Sequence, residues 1–456
     1  MLVAGVDSST QSVKVVVRDA ISGGIITKSS KPHPDGTEVD PHAWKKALEE
    51  ALSDVSNQEI SAISIGGQQH GMVALDHNGE IIRNALLWND TRSDRAAEML
   101  NSEIPDIHKR TGSKLVASFT GSKVRWMADN EPENARRVAA IALPHDWLSW
   151  QLSGSTDIAT LFTDRSDASG TGYFDATTNT YCRDIFAQAL RSDREVILPK
   201  IIKPNEFGAE TKGGIPIAAG AGDNAAAALG LGATVGDLVI SLGTSGTAFA
   251  VSAKQTHDES GEVAGFADAT GNFLPLACTL NAAKIFATVA ATLGLSFEDF
   301  SELALRAKPG AEGLRLLPHF DGERTPNRPA ARGTFHGITH SNFTRENIAR
   351  AAIEGVMAGM VYATKAVERC GVTYSRILLI GGAAKNPAVQ RIASSIFGRE
   401  VTIPPSGEYV ADGAARQAAW ALTGELPEWK FAPLQQVQTT ADIETLESYL
   451  ELISLI

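Results

Sequence analysis

Ala219-Gly220-Ala221-Gly222-Asp223-Asn224-Ala225-Ala226-Ala227-Ala228-Leu229-Gly230 follows an apolar run, Ile215 to Ala219, that reads as a short buried strand. The glycines let the backbone turn tightly and lie against a bulky neighbour. The alanines beyond Asn224 favour a helix with a thin, closely packing surface. One acid and one amide therefore stand at a strand-to-helix junction with little side-chain bulk around them. That is a suitable seat for a carboxylate that takes a proton from a hydroxyl. Helix capping by Asp223 is the simpler account of this stretch alone.

The rest of the 456-residue chain gives the stretch its context. The length calls for two large domains or three small ones. A hydrophobic content of 43% and a charged content of 21% are those of a globular protein. A net charge of −12 excludes a nucleic acid as the expected partner. Anionic ligands must then be held locally, by backbone N–H groups, helix N-termini or a metal ion. Cys182, Cys278 and Cys370 are far apart, so neither a disulfide framework nor a zinc cluster is expected. The first residues lack the basic region of a signal peptide, and no charge-free apolar run has the length of a membrane span. A cytoplasmic protein with no membrane partner is expected.

At the start, strand-like Leu2 to Val6 and Val13 to Val17 flank Asp7-Ser8-Ser9-Thr10-Gln11-Ser12. Hydroxyls and N–H groups in such a hairpin turn can wrap a phosphate, and Asp7 can hold a hydrated divalent cation beside it. A plain polar turn uses the same residues. A strand at Ile60 to Ile65 ends in Gly66-Gly67-Gln68-Gln69-His70-Gly71, whose amides and imidazole suit hydrogen bonds to hydroxyl groups. Trp88-Asn89-Asp90 adds a flat apolar face and directional polar groups. Ser118 to Trp126 precedes an expected amphipathic helix, and Ser166 to Gly172 reads as a polar loop. In the second half, Leu238 to Leu242, Gly243-Thr244-Ser245-Gly246 and Thr247 to Val251 repeat the opening strand–turn–strand device. Two related domains facing one another across a cleft follow from that repetition. Further on come a helix over about 342–370, a strand at Ile377 to Ile380 and a turn, Gly381-Gly382-Ala383-Ala384-Lys385-Asn386. Those glycines let a base or phosphate lie on the backbone. Ala411-Asp412-Gly413-Ala414-Ala415 reads as a helix built for close helix packing, and a proline-bearing link and terminal helix follow from about Leu426.

Taken together, these segments resemble the FGGY family of carbohydrate kinases from Gly5 to about Ala419. The resemblance is carried by Ser118-Phe119-Thr120-Gly121-Ser122-Lys123-Val124-Arg125-Trp126 and by Gly333-Thr334-Phe335-His336-Gly337-Ile338 with Ala351-Ala352-Ile353-Glu354. Members that phosphorylate xylulose are the most similar, through residues 67–71, 88–90 and 222–224. The resemblance implies an α/β fold of two ribonuclease-H-like domains, as in actin and hexokinase, with sugar and Mg-ATP in the cleft between them. We expect residues 1–236 to form the sugar-binding domain and 237–456 the nucleotide-binding one. Asp223 is implied as general base on the 5-hydroxyl of D-xylulose, or on a hydroxyl of another ketose or polyol. Gln69, His70, Trp88, Asn89, Asp90, Asn224 and Lys123 are implied on the sugar side. Ser9, Thr10, Gln11, Gly243, Thr244 and Ser245 are implied along the phosphates, Gly382, Ala383 and Asn386 at the nucleotide, and Asp7 at Mg²⁺. A homodimer is among the implied assemblies. The chain departs from the common pattern at Ser8-Ser9, where Leu-Gly is frequent, and at Gln69, where Met is frequent.

Gly220 to Ala225 also matches the GxGxxA of a nicotinamide-binding turn, but no acid stands about 20 residues on after a following strand. No Gly-Lys-Ser/Thr occurs, which excludes a Walker ATPase. An actin-like ATPase or a sugar sensor shares the implied fold; sugar-dependent ADP release separates a kinase from both.

Overall fold

Valine-rich alternation draws Leu2–Ser8 (β1) and Ser12–Asp19 (β2) into an antiparallel hairpin. The computed structural model that shows this describes residues 1–429 and 434–455. Ile25–Pro32 (β3) pairs antiparallel with β2, and Ile60–Gly67 (β4) pairs parallel with the other edge of β1. Phe207–Glu210 (β5) and Pro216–Ala218 (β6) complete the order β5-β6-β4-β1-β2-β3, with β6 parallel to β4. Helix Pro41–Ser53 (α1) begins where Asp40 accepts from the His42 N–H at 3.0 Å, and buries Trp44, Leu48 and Ala51.

The second half rebuilds the same plan. Asp237–Leu242 (β7) and Gly246–Ala250 (β8) form an antiparallel hairpin. Val263–Ala267 (β9) and Phe273–Thr279 (β10) extend it beyond β8. Arg376–Ile380 (β11) pairs parallel with β7, Val401–Ile403 (β12) parallel with β11, and Gln435–Val437 (β13) antiparallel at the edge. The order β9-β10-β8-β7-β11-β12-β13 therefore contains the arrangement of the first sheet, hairpin for hairpin. These are the two related sheets that the repeated turn predicts, in the ribonuclease-H-like form that the resemblance implies.

The other helices that frame the site are Thr120–Asn130 (α2), Pro144–Ser153 (α3), Asp223–Gly230 (α4), Arg345–Arg369 (α5), Pro387–Phe397 (α6) and Tyr409–Thr423 (α7). Helix α2 starts inside the Ser118–Trp126 stretch rather than after it. The stretch expected to be a loop at 166–172 opens instead with a buried turn of helix, Arg165–Ala168, capped by Asp164. Asp164 accepts from the N–H groups of Ser166 and Asp167, which sequence periodicity over four residues does not reveal.

Helices α4 and α7 are exchanged between the halves. Helix α7, from the end of the chain, packs on β1 and β4 of the first sheet. Ala225, Ala228 and Leu229 of α4 share a buried cluster with Val239, Leu378 and Ile380 of the second. The two helices cross with their backbones touching: a Cβ on Gly413 would stand 1.8 Å from the Ala226 carbonyl oxygen, and one on Gly230 2.1 Å from that of Tyr409. The small-residue run at 411–415 thus serves helix packing, as its composition suggests. The proline-bearing link falls partly on 430–433, outside the described residues, and the terminal helix Ile443–Leu455 is anchored by Tyr449, whose hydroxyl donates to Ala351. Among the described residues, no helix is long and apolar enough to cross a membrane.

Candidate active site

Where the two sheets face each other, the C-terminal ends of β1, β7 and β11 open on a cavity of about 470 Å³. This is where parallel α/β sheets present ligand sites, because loops there are free of the ladder. Asp7, Ser9 and Lys14 line it from the first hairpin, Asp223 and Asn224 from the start of α4, and Gly381 and Gly382 from the turn after β11. The segment from Ile403 to Val410 forms a further wall.

Asp223 begins its helix without capping it in the ordinary way. Its Oδ1 accepts from the N–H of Asn224 at 2.7 Å and from the Asn224 side-chain amide at 2.8 Å. Oδ2 has no hydrogen-bond partner among the described residues. Desolvation pushes the carboxyl up to about 7, and the nearby charge of Asp7 adds to that against the Asn224 bonds. A carboxylate with a free oxygen and a pKa near neutrality is fitted to accept a proton from a hydroxyl at pH 7. Gly222, just before it, lies so close to Gln69 that a Cβ there would stand 2.6 Å from Nε2.

Asp7 is buried at the end of β1 and accepts from the Ser9 hydroxyl. Burial lifts it to about 6, while the Ser9 bond and the Lys14 charge act against the rise. Lys14 is itself paired with Glu408 at 2.7 Å across the cavity. A desolvated acid among hydroxyls, with one oxygen outside its only side-chain hydrogen bond, suits an oxygen-seeking divalent cation such as Mg²⁺. Thr10 Oγ1 accepts from the Trp88 indole N–H at 2.9 Å, which couples the hairpin to the Trp88 segment. Gln11 is exposed at the hairpin tip.

Beside the cavity, Gln69 and His70 form a second polar wall. Gln69 Nε2 donates to the Ser166 carbonyl at 3.3 Å. His70 adopts a φ of 70°, unusual for a residue with a Cβ, and its Nδ1–H donates to the Gly170 carbonyl at 2.6 Å. Its ring lies between Phe119 of the first half and Phe266 of the second, with centroids 4.9 and 5.5 Å away. Burial, with the Lys123 charge, lowers His70 to about 3, so the imidazole is neutral and Nε2 is an acceptor.

Of the other expected site residues, Lys123, Asp90 and Asn386 have their polar groups engaged elsewhere. Lys123 is fully buried, and its ammonium donates to the carbonyls of Ala117, at 3.3 Å, and Ser118. Desolvation lowers it to about 7. Asp90 is bonded to Thr37 and Arg92; these bonds outweigh burial and hold its carboxyl low. Asn89 is exposed. Asn386 caps α6, accepting from the N–H groups of Ala388 and Val389, and its amide donates to Ser301. Gly243 and Thr244 are exposed, Ser245 is half-buried and Ala383 is buried. None of these residues is on the lining of the 470 Å³ cavity.

Sequence reasoning missed Lys14, Glu408 and the 403–410 wall. The wall had one signal: Pro404-Pro405-Ser406-Gly407 is a turn at the end of a parallel strand. It also gave no role to Arg324, a cation of the second half whose guanidinium reaches Ser118 Oγ at 3.4 Å and helps to keep His70 neutral.

Residues 2–230 match the N-terminal domain model of the FGGY family of carbohydrate kinases, and residues 238–422 match its C-terminal domain model. The chain is 44% identical to the xylulose kinase of Streptomyces coelicolor over 93% of its own length and 89% of that protein's. The crystal structure of xylulose kinase from Bifidobacterium adolescentis superposes with a TM-score of 0.92 at 44% identity, covering 99% of each chain. Plasmodium falciparum glycerol kinase with ADP, at 19% identity, shares the fold with a TM-score of 0.86 over 100% of this chain and 97% of that one. This chain belongs to the FGGY family of carbohydrate kinases.

Proposed function

We propose that the protein transfers the γ-phosphate of ATP to the 5-hydroxyl of D-xylulose, giving D-xylulose 5-phosphate and ADP. The carrying observation is Asp223, with a free Oδ2 and a pKa near 7, on the wall of a cavity shared with Asp7 and the Gly381–Gly382 turn. In this reading Asp223 takes the proton of the hydroxyl as that oxygen attacks the phosphorus and the bond to ADP breaks. Neutral His70, through Nε2, accepts from one sugar hydroxyl; Gln69, Asn224 and Trp88 complete the sugar side. Lys123 and Asp90 act there indirectly, by holding the 117–118 and 90–92 backbones, and exposed Asn89 offers its amide to the sugar.

Ser9, Thr10, Gln11 and the 243–245 turn give N–H and hydroxyl donors to the phosphates, and the 382–386 turn borders the nucleotide. Asp7 would hold Mg²⁺, which supplies charge neutralisation on the phosphoryl oxygens when bound. Residues 1–236 would carry the sugar side and 237–456 the nucleotide side, in a cytoplasmic homodimer. The names of the relatives support the choice of sugar. The test is ADP formation with Mg-ATP across ketoses, polyols and sugar acids. Turnover led by D-xylulose is expected; turnover led by another sugar would overturn the substrate, and sugar-independent ADP release would overturn the kinase reading.

A further inference from the structure

Behind the Asp223 turn is a group of ionisable side chains with no part in the chemistry above. His145, at the start of α3, is fully buried, and so are Asp146, Asp164 and Asp167. His145 Nε2 lies 3.1 Å from Asp167, 3.4 Å from Asp146 and 3.5 Å from Asp164. Its ring is pressed against the ends of two strands: a Cβ on Gly67 would stand 2.9 Å from the His145 Cβ, and one on Gly220 2.6 Å from Nδ1. Asp146 and Asp164 are also helix caps, taking the N–H groups of Leu143, Ser166 and Asp167. Asp167 is different. Among the described residues both its oxygens lack a hydrogen bond, as do both ring nitrogens of His145, and the imidazole Nε2 stands 3.1 Å from it.

The segment this cluster anchors, 164–170, touches two residues of the sugar side and the turn that carries Asp223. Ser166 Oγ accepts from the N–H of Gly222, beside Asp223, at 3.1 Å. The Ser166 carbonyl takes the Gln69 amide, and the Gly170 carbonyl takes His70. On its other side Ser169 Oγ accepts from the Ala267 N–H at 2.9 Å, and Arg165 binds the Asn272 carbonyl and pairs with Asp268 at 3.6 Å. One short buried segment thus joins the base, two sugar-side residues and a hairpin of the opposite sheet.

We propose that His145 is a positioning residue whose buried imidazolium, held among Asp146, Asp164 and Asp167, fixes the 164–170 segment and through it the sugar wall and the Asp223 turn. The inference rests on the reading of Asp223 as base and of residues 69–70 as sugar contacts. Burial alone would lower His145, but the three carboxylates outweigh it and lift the imidazole to about 9, so it carries its charge at neutral pH. Burial acts the other way on the acids, raising Asp146 to about 6 and Asp167 well above the ordinary carboxylate range, so a charged ring is what favours keeping negative charge in the cluster. A divalent cation is the rival account, since 3.1–3.5 Å separations also suit ligand atoms around one ion. The two capping acids, already satisfied in part by backbone N–H groups, favour the imidazolium.

The test compares His145→Lys, which keeps the charge without the ring, with His145→Gln, which keeps polarity without the charge. Steady-state kinetics would be measured for sugar and ATP separately, with metal analysis of the wild-type and His145→Lys proteins before and after dialysis against EDTA. The expected result is His145→Lys within about threefold of wild type. His145→Gln should raise the sugar KM roughly tenfold or more, with the ATP KM little changed. If His145→Gln does not fold, a folded and active His145→Lys still supports the proposal. Equal impairment of both variants, wild-type kinetics in His145→Gln, or one bound divalent ion lost in His145→Lys would each overturn it. Full turnover of Asp223→Ala would instead defeat the base assignment, and leaves the sugar KM of His145→Gln as an independent reading.

Discussion

The two sheets share one topology but carry opposite kinds of chemistry. The turn between β1 and β2 holds a buried acid, Asp7, near a paired lysine, Lys14. The equivalent turn between β7 and β8 holds no ionisable side chain, only Gly243, Thr244 and Ser245. The contrast extends outward from the hairpins. Asp223, His70 and Lys123, all with strongly displaced pKa values, belong to the first half, while the second gives the cavity the backbone of Gly381 and Gly382 together with Lys385 and the Glu408 that pairs with Lys14. Proton and metal chemistry need charged groups in low dielectric, whereas a triphosphate needs donors that stay donors at any pH. A duplicated fold can separate the two tasks.

The largest effect should come from the first half. Asp223→Ala is expected to lower kcat by about 10³–10⁴ with sugar KM changed by less than about threefold. A variant keeping a tenth of wild-type turnover would show that proton transfer is not what the first half supplies. Asp7→Asn should cost about 10² in kcat and make turnover more demanding of Mg²⁺, read by titrating the metal at fixed ATP.

Acidification should also act through the first half. As the proposed base Asp223 would act when ionised, and its carboxyl is raised to about 7. The kcat/KM for sugar should therefore be flat above about pH 8 and fall about tenfold for each unit below 7. A profile flat down to pH 5 would contradict this. Removing a hydroxyl from the second hairpin, as in Thr244→Val, should cost only about threefold to tenfold, seen mainly in the ATP KM. If Thr244→Val costs more than Asp7→Asn, the division of labour between the hairpins is wrong.

The local parts of this design were legible in the chain. Asp7 and Asp223 stand beside strand ends marked by glycine or small hydroxyl residues, and the 243–246 turn repeats the 7–12 turn closely enough to imply two related domains. The long-range parts were not. Lys14 meets Glu408 across 394 positions, and α4 and α7 exchange sheets through glycines that look like ordinary small residues. For Lys123 and Asn386 the protein partners were not legible, because a buried amine or amide has the same one-letter code as an exposed one. The carbonyls and N–H groups that engage them are made available only by folding. His145 gave no signal for the same reason: its three acids come from the next residue and from a segment about twenty positions on that periodicity reads as a loop.

The smallest expected effect concerns stability. The first half holds Asp223 in a site that disfavours its charge, so the folded protein binds this proton more tightly than the unfolded chain does. Below the ordinary aspartate value of about 4 both states are protonated and the site costs nothing. As pH rises toward 7 the unfolded chain loses the proton first, and the folded state is increasingly penalised; above about 7 the penalty is complete. Asp223→Asn removes the charge while keeping an acceptor for the Asn224 bonds. Its melting temperature should exceed that of wild type by a few degrees, roughly 2–5 °C, at pH 8, with the gap closing as pH falls toward 5. Thr244→Val, in the uncharged hairpin, should show a difference independent of pH. Melting curves of the three proteins at several pH values decide the matter: an Asp223→Asn gap that widens on acidification reverses the sign and would mean the carboxylate is stabilised, not strained, in its turn.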